Sequence, residues 1–156
     1  QGSIFRIYLP IQTESLTENP VAMPTDAFPR GQNEVILLAE DETSIRQITQ
    51  ATLEAFGYRV IAAEDGSEAI GLYAVNKRDI ALVITDMMMP NMDGAAFVAA
   101  VRSLDPKLPI IAVSGVDLDR DVARATALGI AHVLAKPYTA EALVRKVSAV
   151  LTKEIG

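Results

Sequence analysis

Acidic residues stand directly after two apolar runs of this 156-residue chain. Glu40 and Asp41 follow the run Val35–Ala39, and Asp86 follows the run Ile80–Thr85. If these runs are neighbouring strands, the three carboxylates share one sheet edge, where two carboxylates 4 Å apart repel each other by roughly 4 kcal/mol at an effective dielectric of 20. Hard carboxylate oxygens with one open face suit Mg²⁺, which keeps waters and takes few protein ligands. The pattern predicts a magnesium site, with solvated acids or helix N-caps as the alternative.

A hydroxyl and an ammonium group follow two further apolar runs. Ser114 follows Ile110–Val113, and Lys136 follows Ala131–Ala135. Each residue alone has an ordinary explanation, because serine often caps helices and lysine usually lies at the surface. Both, however, end their runs at the edge that carries the acids. We therefore expect three acids, one hydroxyl and one ammonium group to converge on a single rim.

Five apolar runs alternate with five helical patterns from Glu34 onward. Runs that are apolar along their whole length are typical of parallel strands covered on both faces. The predicted strands are Val35–Ala39, Val60–Ala63, Ile80–Thr85, Ile110–Val113 and Ala131–Ala135. We predict an α/β fold of the flavodoxin-like (βα)5 type, with right-handed crossovers and strand order 2-1-3-4-5. Ligands then bind at the carboxyl ends of strands one and three, where the strand order reverses.

The spacing of apolar residues predicts the helices and their buried faces. The predicted helices are 45–56, 66–76, 93–103, 117–128 and 138–152. In the first we expect Ile45, Ile48, Thr52 and Phe56 to face the core, and in the third Phe97, Val98, Val101 and Leu104. The fourth is the weakest pattern, with Val122, Ala125 and Leu128. The last has the clearest stripe, formed by Leu143, Val144, Val147, Val150 and Leu151.

Composition excludes several kinds of site. The chain has no cysteine, so it has no disulfide, thiolate zinc site or cysteine nucleophile. Its one histidine, His132, cannot form a multi-histidine metal site, and its place in a predicted strand argues against a phosphohistidine role. Acidic residues number 20 and basic residues 14, which disfavours nucleic-acid binding. Apolar runs long enough to span a bilayer and a signal peptide are both lacking, so we expect no direct membrane contact and a cytoplasmic location.

Four segments together resemble the receiver domain of two-component signalling, over about residues 34–153. Their presence in the right order makes the resemblance specific. The segments are Val35-Ile-Leu-Leu-Ala-Glu-Asp-Glu42, Val83-Ile-Thr-Asp-Met-Met-Met-Pro-Asn-Met-Asp-Gly94, Val113-Ser-Gly115 and Ala135-Lys-Pro137.

The resemblance implies a role for each acidic residue of the rim. Asp86 would be the phosphoacceptor and would take a phosphoryl group from a phosphohistidine on a kinase or phosphotransfer domain. Asp41 would bind Mg²⁺ directly, while Glu40 would act mostly through a bound water. The backbone carbonyl of Met88 would complete the protein ligands of the metal.

The resemblance also implies roles for the hydroxyl of Ser114 and the ammonium group of Lys136. Ser114 would hydrogen-bond one phosphoryl oxygen, and Lys136 would neutralise another. The Lys136–Pro137 bond is often cis in the family, and that isomer would help to aim the lysine. Val133 stands where the family usually has an aromatic switch residue, so the form of the output change is open. Met88 and Val116 flank the route of the attacking water and are apolar here, which predicts slow self-dephosphorylation.

The first ten residues resemble the closing strand of the ATP-binding domain of sensor histidine kinases. We predict that residues 1–10 are a remnant of that strand, that 11–32 form a linker, and that 33–156 form the receiver domain of a hybrid kinase. The sequence carries no ATP-binding motif, so its phosphoryl group must come from a donor. A free-standing receiver and an unphosphorylated pseudo-receiver that acts as an interaction module are the alternatives, and a homodimer is left open.

Two other α/β classes fit less well. A haloacid-dehalogenase-like phosphatase needs a second aspartate two residues after its nucleophile, and Met88 occupies that position. A flavin-binding domain needs a phosphate-cradling loop after its first strand, and the sequence there is acidic.

Overall fold

A computed structural model describes residues 28–115 and 118–154, and within them the chain forms five strands and five helices. The strands are β1 (Val35–Ala39), β2 (Arg59–Ala63), β3 (Ile80–Asp86), β4 (Ile110–Ser114) and β5 (His132–Ala135). The helices are α1 (Thr43–Ala55), α2 (Gly66–Asn76), α3 (Gly94–Leu104), α4 (Leu118–Ala127) and α5 (Ala140–Glu154).

The sheet is parallel, in the order β2-β1-β3-β4-β5. The predicted flavodoxin-like order is therefore confirmed. Ala39 pairs with Thr85, so the residues that follow them, Glu40 and Asp86, lie side by side. Asp86 pairs with Val113, which places Ser114 one residue beyond it at the same edge. The register thus brings the ends of β1, β3 and β4 to one rim.

The strands separate two apolar clusters because successive side chains point to opposite faces. In β1, Leu37 joins the cluster under α2, α3 and α4, whereas Ile36 and Leu38 join the cluster under α1 and α5. The predicted stripe of α5 is confirmed, since all five of its residues are buried. At a transfer value of roughly 25 cal/mol per Å², these two clusters supply most of the driving force for folding.

The buried face of α1 differs from the predicted one. Ile48 is 67% exposed, and the helix instead buries Thr49 and Leu53. The pattern missed this face because Thr49 is polar, and its burial is balanced by a 3.0 Å hydrogen bond between its hydroxyl and that of Tyr138. Leu104 and Val122 were also predicted to be buried, but Leu104 is 50% exposed at the last position of α3 and Val122 is 39% exposed.

The segment just before β1 packs on α1 and α5. The ring of Phe28 meets that of Phe56 edge to face. The Arg145 guanidinium lies 5.3 Å from the centre of the Phe28 ring. The amide of Gly31 donates to the carbonyl of Phe56 at 2.9 Å. A Cβ at Gly31 would lie 2.4 Å from the Tyr58 ring, so only glycine fits there. The described end of the predicted linker therefore contacts the domain.

Three of the sequence predictions concern residues that the structure does not describe. The strand at 1–10, the linker residues 11–27 and Val116 lie outside the described residues. In the ranges 28–115 and 118–154, none of the helices has the length and apolar character needed to span a membrane.

Candidate functional site

Three carboxylates meet at the carboxyl edge of the sheet. Glu40, Asp41 and Asp86 each offer an oxygen, and these oxygens lie within 4.8 Å of one another. Glu40 and Asp86 are buried, at 2% and 7% exposure, while Asp41 is exposed. The three carboxylates therefore lie close together, as the sequence predicted, and the cluster is anchored in the fold on one side and open to solvent on the other.

Lys136 lies between the two buried acids. Its Nζ is 2.7 Å from Glu40 Oε2 and 2.5 Å from Asp86 Oδ2. Its backbone amide donates to the carbonyl of Ser114 at 2.7 Å, which fixes the start of the β5–α5 loop against β4. The Lys136–Pro137 bond is cis, as the resemblance implied.

Burial and the neighbouring charges shift the pKa values of Glu40 and Lys136. Burial raises the pKa of Glu40, and the charge of Asp86 adds to this, although Lys136 opposes it through a hydrogen bond and its charge. Burial alone would lower the pKa of Lys136, but the hydrogen bonds and charges of Asp86 and Glu40 outweigh it and raise that pKa. The lysine is therefore held as a cation at neutral pH.

The Asp86 side chain is held from two directions. Oδ2 accepts from Lys136, and Oδ1 accepts from the backbone amide of Met88 at 2.8 Å. The Met88 side chain itself points outward and is 61% exposed. Two hydrogen bonds of this kind fix the orientation of a carboxylate that could act as a nucleophile.

Gly94 allows α3 to begin directly against the backbone of Asp86 and Met87. A Cβ on Gly94 would lie 2.1 Å from the carbonyl oxygen of Asp86 and 2.8 Å from the Cα of Met87. Both are backbone atoms that cannot move aside. Asp93 caps the helix by accepting from the amide of Ala96 at 2.8 Å. The need for glycine at position 94 was not predicted, although an aspartate directly before it is typical of a helix N-cap.

Ser114 stands at the predicted edge, but its hydroxyl is engaged elsewhere. Its Oγ donates to Asp121 Oδ2 on α4 at 2.7 Å, and both residues are buried. Asp121 was missed, because no apolar periodicity or motif marks a buried acid within a weak helical pattern. The structure thus joins Lys136 to Glu40 and Asp86, places the Asp41 carboxylate within 4.8 Å of the other two acids, and directs the Ser114 hydroxyl toward α4.

Arg46 is a second residue of the site that was not predicted from the sequence. Its Nη1 donates to the carbonyls of Glu40 at 2.6 Å and Asp41 at 3.0 Å. These bonds tie the β1–α1 loop to the first turns of α1. The guanidinium therefore sets the position of the two acids without contacting their carboxylates.

An apolar cavity of about 450 Å³ adjoins the rim. Ile48 of α1 lines it together with Pro137 and Tyr138 of the β5–α5 loop, and Lys136 forms part of its wall. The exposed side of α1 and this loop therefore form a continuous apolar surface beside the acids.

The structure also locates the methionines after β3, His132 and Val133. Met87 and Met89 are buried in the loop that follows β3, whereas the Met88 side chain between them is exposed. His132 begins β5 and is not on a helix. Val133 is partly buried against the cluster under α2, α3 and α4.

Sequence and structure comparisons agree with this geometry. The profile of the response regulator receiver domain family matches residues 36–148. The chain is 38% identical over 108 residues to transcription factor SKN7 of Candida albicans, covering 69% of this chain and 19% of that protein. It is 34% identical over 120 residues to a probable transcriptional regulator, ycf27, of Guillardia theta, covering 77% and 46% respectively. The chain therefore spans less than half the length of these curated relatives.

Solved structures show the same fold. A response regulator receiver domain protein from Clostridium thermocellum superposes with a TM-score of 0.73 at 30% identity, covering 78% of this chain and 96% of that one. The chemotaxis protein CheY4 of Vibrio cholerae gives 0.69 at 32% identity, covering 74% and 97%. A five-stranded parallel sheet with an acidic rim defines the class, and the chain belongs to the response regulator receiver domain family.

Proposed function

We propose that this domain accepts a phosphoryl group on Asp86 from a phosphohistidine of a kinase or phosphotransfer domain. One observation carries the proposal. The Asp86 carboxylate is fixed by Lys136 and by the amide of Met88 at a rim that two further acids share. A buried nucleophile with a cation and an acidic cluster beside it is suited to phosphoryl transfer, in which positioning and charge stabilisation dominate.

The chain's own residues would act as follows. An Asp86 oxygen forms the new P–O bond while the P–N bond to histidine breaks, and the histidine leaves with the electron pair and takes a proton. Lys136 lies within 2.5 Å of Asp86 and is placed to neutralise an oxygen of the arriving group. Met88 keeps the carboxylate oriented through its amide. The product is an acyl phosphate with close to two negative charges.

The acidic cluster fits a hard divalent cation. Glu40, Asp41 and Asp86 supply oxygen donors within 4.8 Å of one another, and all of them are carboxylates. These residues, with the backbone carbonyl of Met88, would hold Mg²⁺. When bound, this ion would neutralise charge on the phosphoryl oxygens.

The proposal extends to the parent protein. The segment Gly2-Ser-Ile-Phe-Arg-Ile-Tyr-Leu-Pro10 supports a hybrid sensor histidine kinase with this domain as its receiver, located in the cytoplasm even if the parent kinase is anchored in a membrane. A free-standing receiver is the alternative. An antibody against the domain would separate them, because a hybrid kinase gives a polypeptide much larger than 16.7 kDa.

The proposed function is tested by locating the phosphoryl group. The domain is incubated with phosphoramidate and Mg²⁺ and then reduced with borohydride, which converts an aspartyl phosphate to homoserine. Peptide mass mapping should find that conversion at position 86. Phosphate at another residue, or none at all, would contradict the proposal and favour an interaction module.

A further inference from the structure

We propose that Asp121 is a positioning residue that holds the Ser114 hydroxyl on α4 and releases it when Asp86 is phosphorylated. This inference rests on the function proposed above and assigns a role to a buried acid outside the rim. Asp121 is 3% exposed, and its Oδ2 accepts from Ser114 Oγ at 2.7 Å.

The two side chains face each other because of strand and helix periodicity. In β4, Ser114 lies two residues after Ala112, which packs in the cluster under α4, so both point to that face. In α4, Asp121 lies one turn before Ala125, which packs in the same cluster. The carboxylate therefore points at the end of β4, one strand away from Asp86.

A serine hydroxyl carries one proton and can donate it to one acceptor at a time. In the present structure Asp121 Oδ2 accepts the hydrogen bond that this hydroxyl donates. A phosphoryl group on Asp86 adds strong acceptor oxygens next to Ser114. The two acceptors compete, so donation to the phosphoryl group removes the partner that Asp121 has here.

Loss of this partner gives α4 a reason to move. A buried carboxylate without its hydrogen bond is unfavourable until it reaches water or a new donor. Because Asp121 is part of α4, the helix must shift or loosen to provide either. The charge change at Asp86 is thereby converted into a displacement of one helix.

The packing of α4 makes this displacement easy. Across residues 120–127, Ala125 is the one buried apolar side chain. The ion pair of Arg124 with Asp93, 3.0 Å long, is partly exposed and weak in water. A helix with so little buried apolar surface opens at low free-energy cost. Its outer side carries Val122, which is 39% exposed and would belong to the surface that changes.

The test compares beryllofluoride binding, in the presence of Mg²⁺, between the wild-type domain and variants. Asp121→Ala removes the competing acceptor, so we expect beryllofluoride to bind about tenfold more tightly, equivalent to about 1.4 kcal/mol. Asp121→Asn keeps a weaker, neutral acceptor and should give a smaller gain of the same sign. Asp79→Ala removes one charge at an exposed site outside α4 and should change nothing.

A double-mutant cycle with Ser114→Ala shows whether Asp121 acts through the hydroxyl. In the Ser114→Ala background, Asp121→Ala should have no further effect on binding. Hydrogen exchange adds a readout on the wild type that needs no substitution: amides of residues 122–127 should exchange faster when beryllofluoride binds. In folded Asp121→Ala they should already be fast without it.

The outcomes separate the two proposals. If the wild type binds beryllofluoride but α4 exchange is unchanged, or if both Asp121 variants bind with wild-type affinity, the role of Asp121 is wrong while phosphoacceptance stands. An equal gain from Asp121→Ala with and without Ser114 would also overturn it. If the wild type neither binds beryllofluoride nor takes up phosphate, the proposed function fails and this inference fails with it.

Discussion

The ammonium group of Lys136 lies 2.5 Å from the carboxylate of Asp86, although 50 residues separate them in the chain. The contact exists because β3 and β5 end at the same edge of a parallel sheet, with β4 between them. Lys136 also reaches Glu40, so one cation balances two buried acids.

Removal of the Lys136 ammonium group should therefore destabilise the domain when no Mg²⁺ is bound. Lys136→Met leaves Glu40 and Asp86 buried without their shared partner, and we expect the free energy of unfolding to fall by about 2 kcal/mol. Urea denaturation without Mg²⁺ measures it, and added Mg²⁺ should restore part of the loss. Lys107→Met, at an exposed lysine, serves as the control. Equal stabilities of the two variants would contradict the role of Lys136.

Gly94 is expected to tolerate no side chain. In Gly94→Ala the added Cβ would overlap backbone atoms of Asp86 and Met87, so the loop that holds the nucleophile must shift. We expect a loss of about 2–3 kcal/mol. Gly71→Ala is the matched control, because Gly71 lies in α2 with open space around it, and alanine should stabilise that helix by about 0.5–1 kcal/mol. Thermal unfolding of both variants decides this, and a stable Gly94→Ala domain would refute it.

Asp93 should make the stability of the domain depend on pH in the acidic range. The backbone hydrogen bond from Ala96 and the pairing with Arg124 lower the pKa of Asp93 below its ordinary value of 3.8. Its contribution is therefore complete above about pH 4 and is lost as the pH falls through the lowered pKa. Asp93→Asn keeps an N-cap acceptor but loses the charge, so at pH 7 it should be less stable by about 0.5 kcal/mol.

Urea denaturation from pH 7 down to pH 3 checks this expectation. The difference between wild type and Asp93→Asn should shrink below about pH 4. A difference that stays constant over this range would show that the charge of Asp93 does not contribute.

Met88 should make the phosphorylated state long-lived. Its side chain is exposed beside Asp86 and has no group that could orient a water. Met88→Asn supplies such a group, and we expect the phosphorylated domain to lose phosphate roughly 3- to 10-fold faster, a modest effect for water positioning. Val75→Asn, at an exposed valine of α2, is the control. Rapid loss from the wild type, unchanged by Met88→Asn, would contradict the expectation.

The sequence predicted the sheet well because its strands are apolar throughout, and runs such as Val35–Ala39 leave little choice of element. It also placed Glu40, Asp41, Asp86 and Lys136 together, because parallel strands end at one edge. Helix faces were less predictable, since buried Thr49 is stabilised by the hydroxyl of Tyr138, a contact 89 residues away.

The partner of Ser114 could not be predicted for a related reason. Asp121 reads as a surface acid on a polar helix, and its burial depends on how α4 packs against the end of β4. The need for glycine at position 94 could not be predicted either, because a side chain there would overlap the backbone of Asp86, which is not one of its neighbours in sequence.

Intact-mass analysis with a small phosphodonor tests the central claim most directly. The domain and its Asp86→Asn variant are incubated with phosphoramidate, with and without Mg²⁺. We expect one added phosphoryl group on the wild type with Mg²⁺, and none on the variant or without the metal. Uptake by Asp86→Asn, or no uptake by the wild type under any condition, would contradict the assignment of Asp86 as the phosphoacceptor.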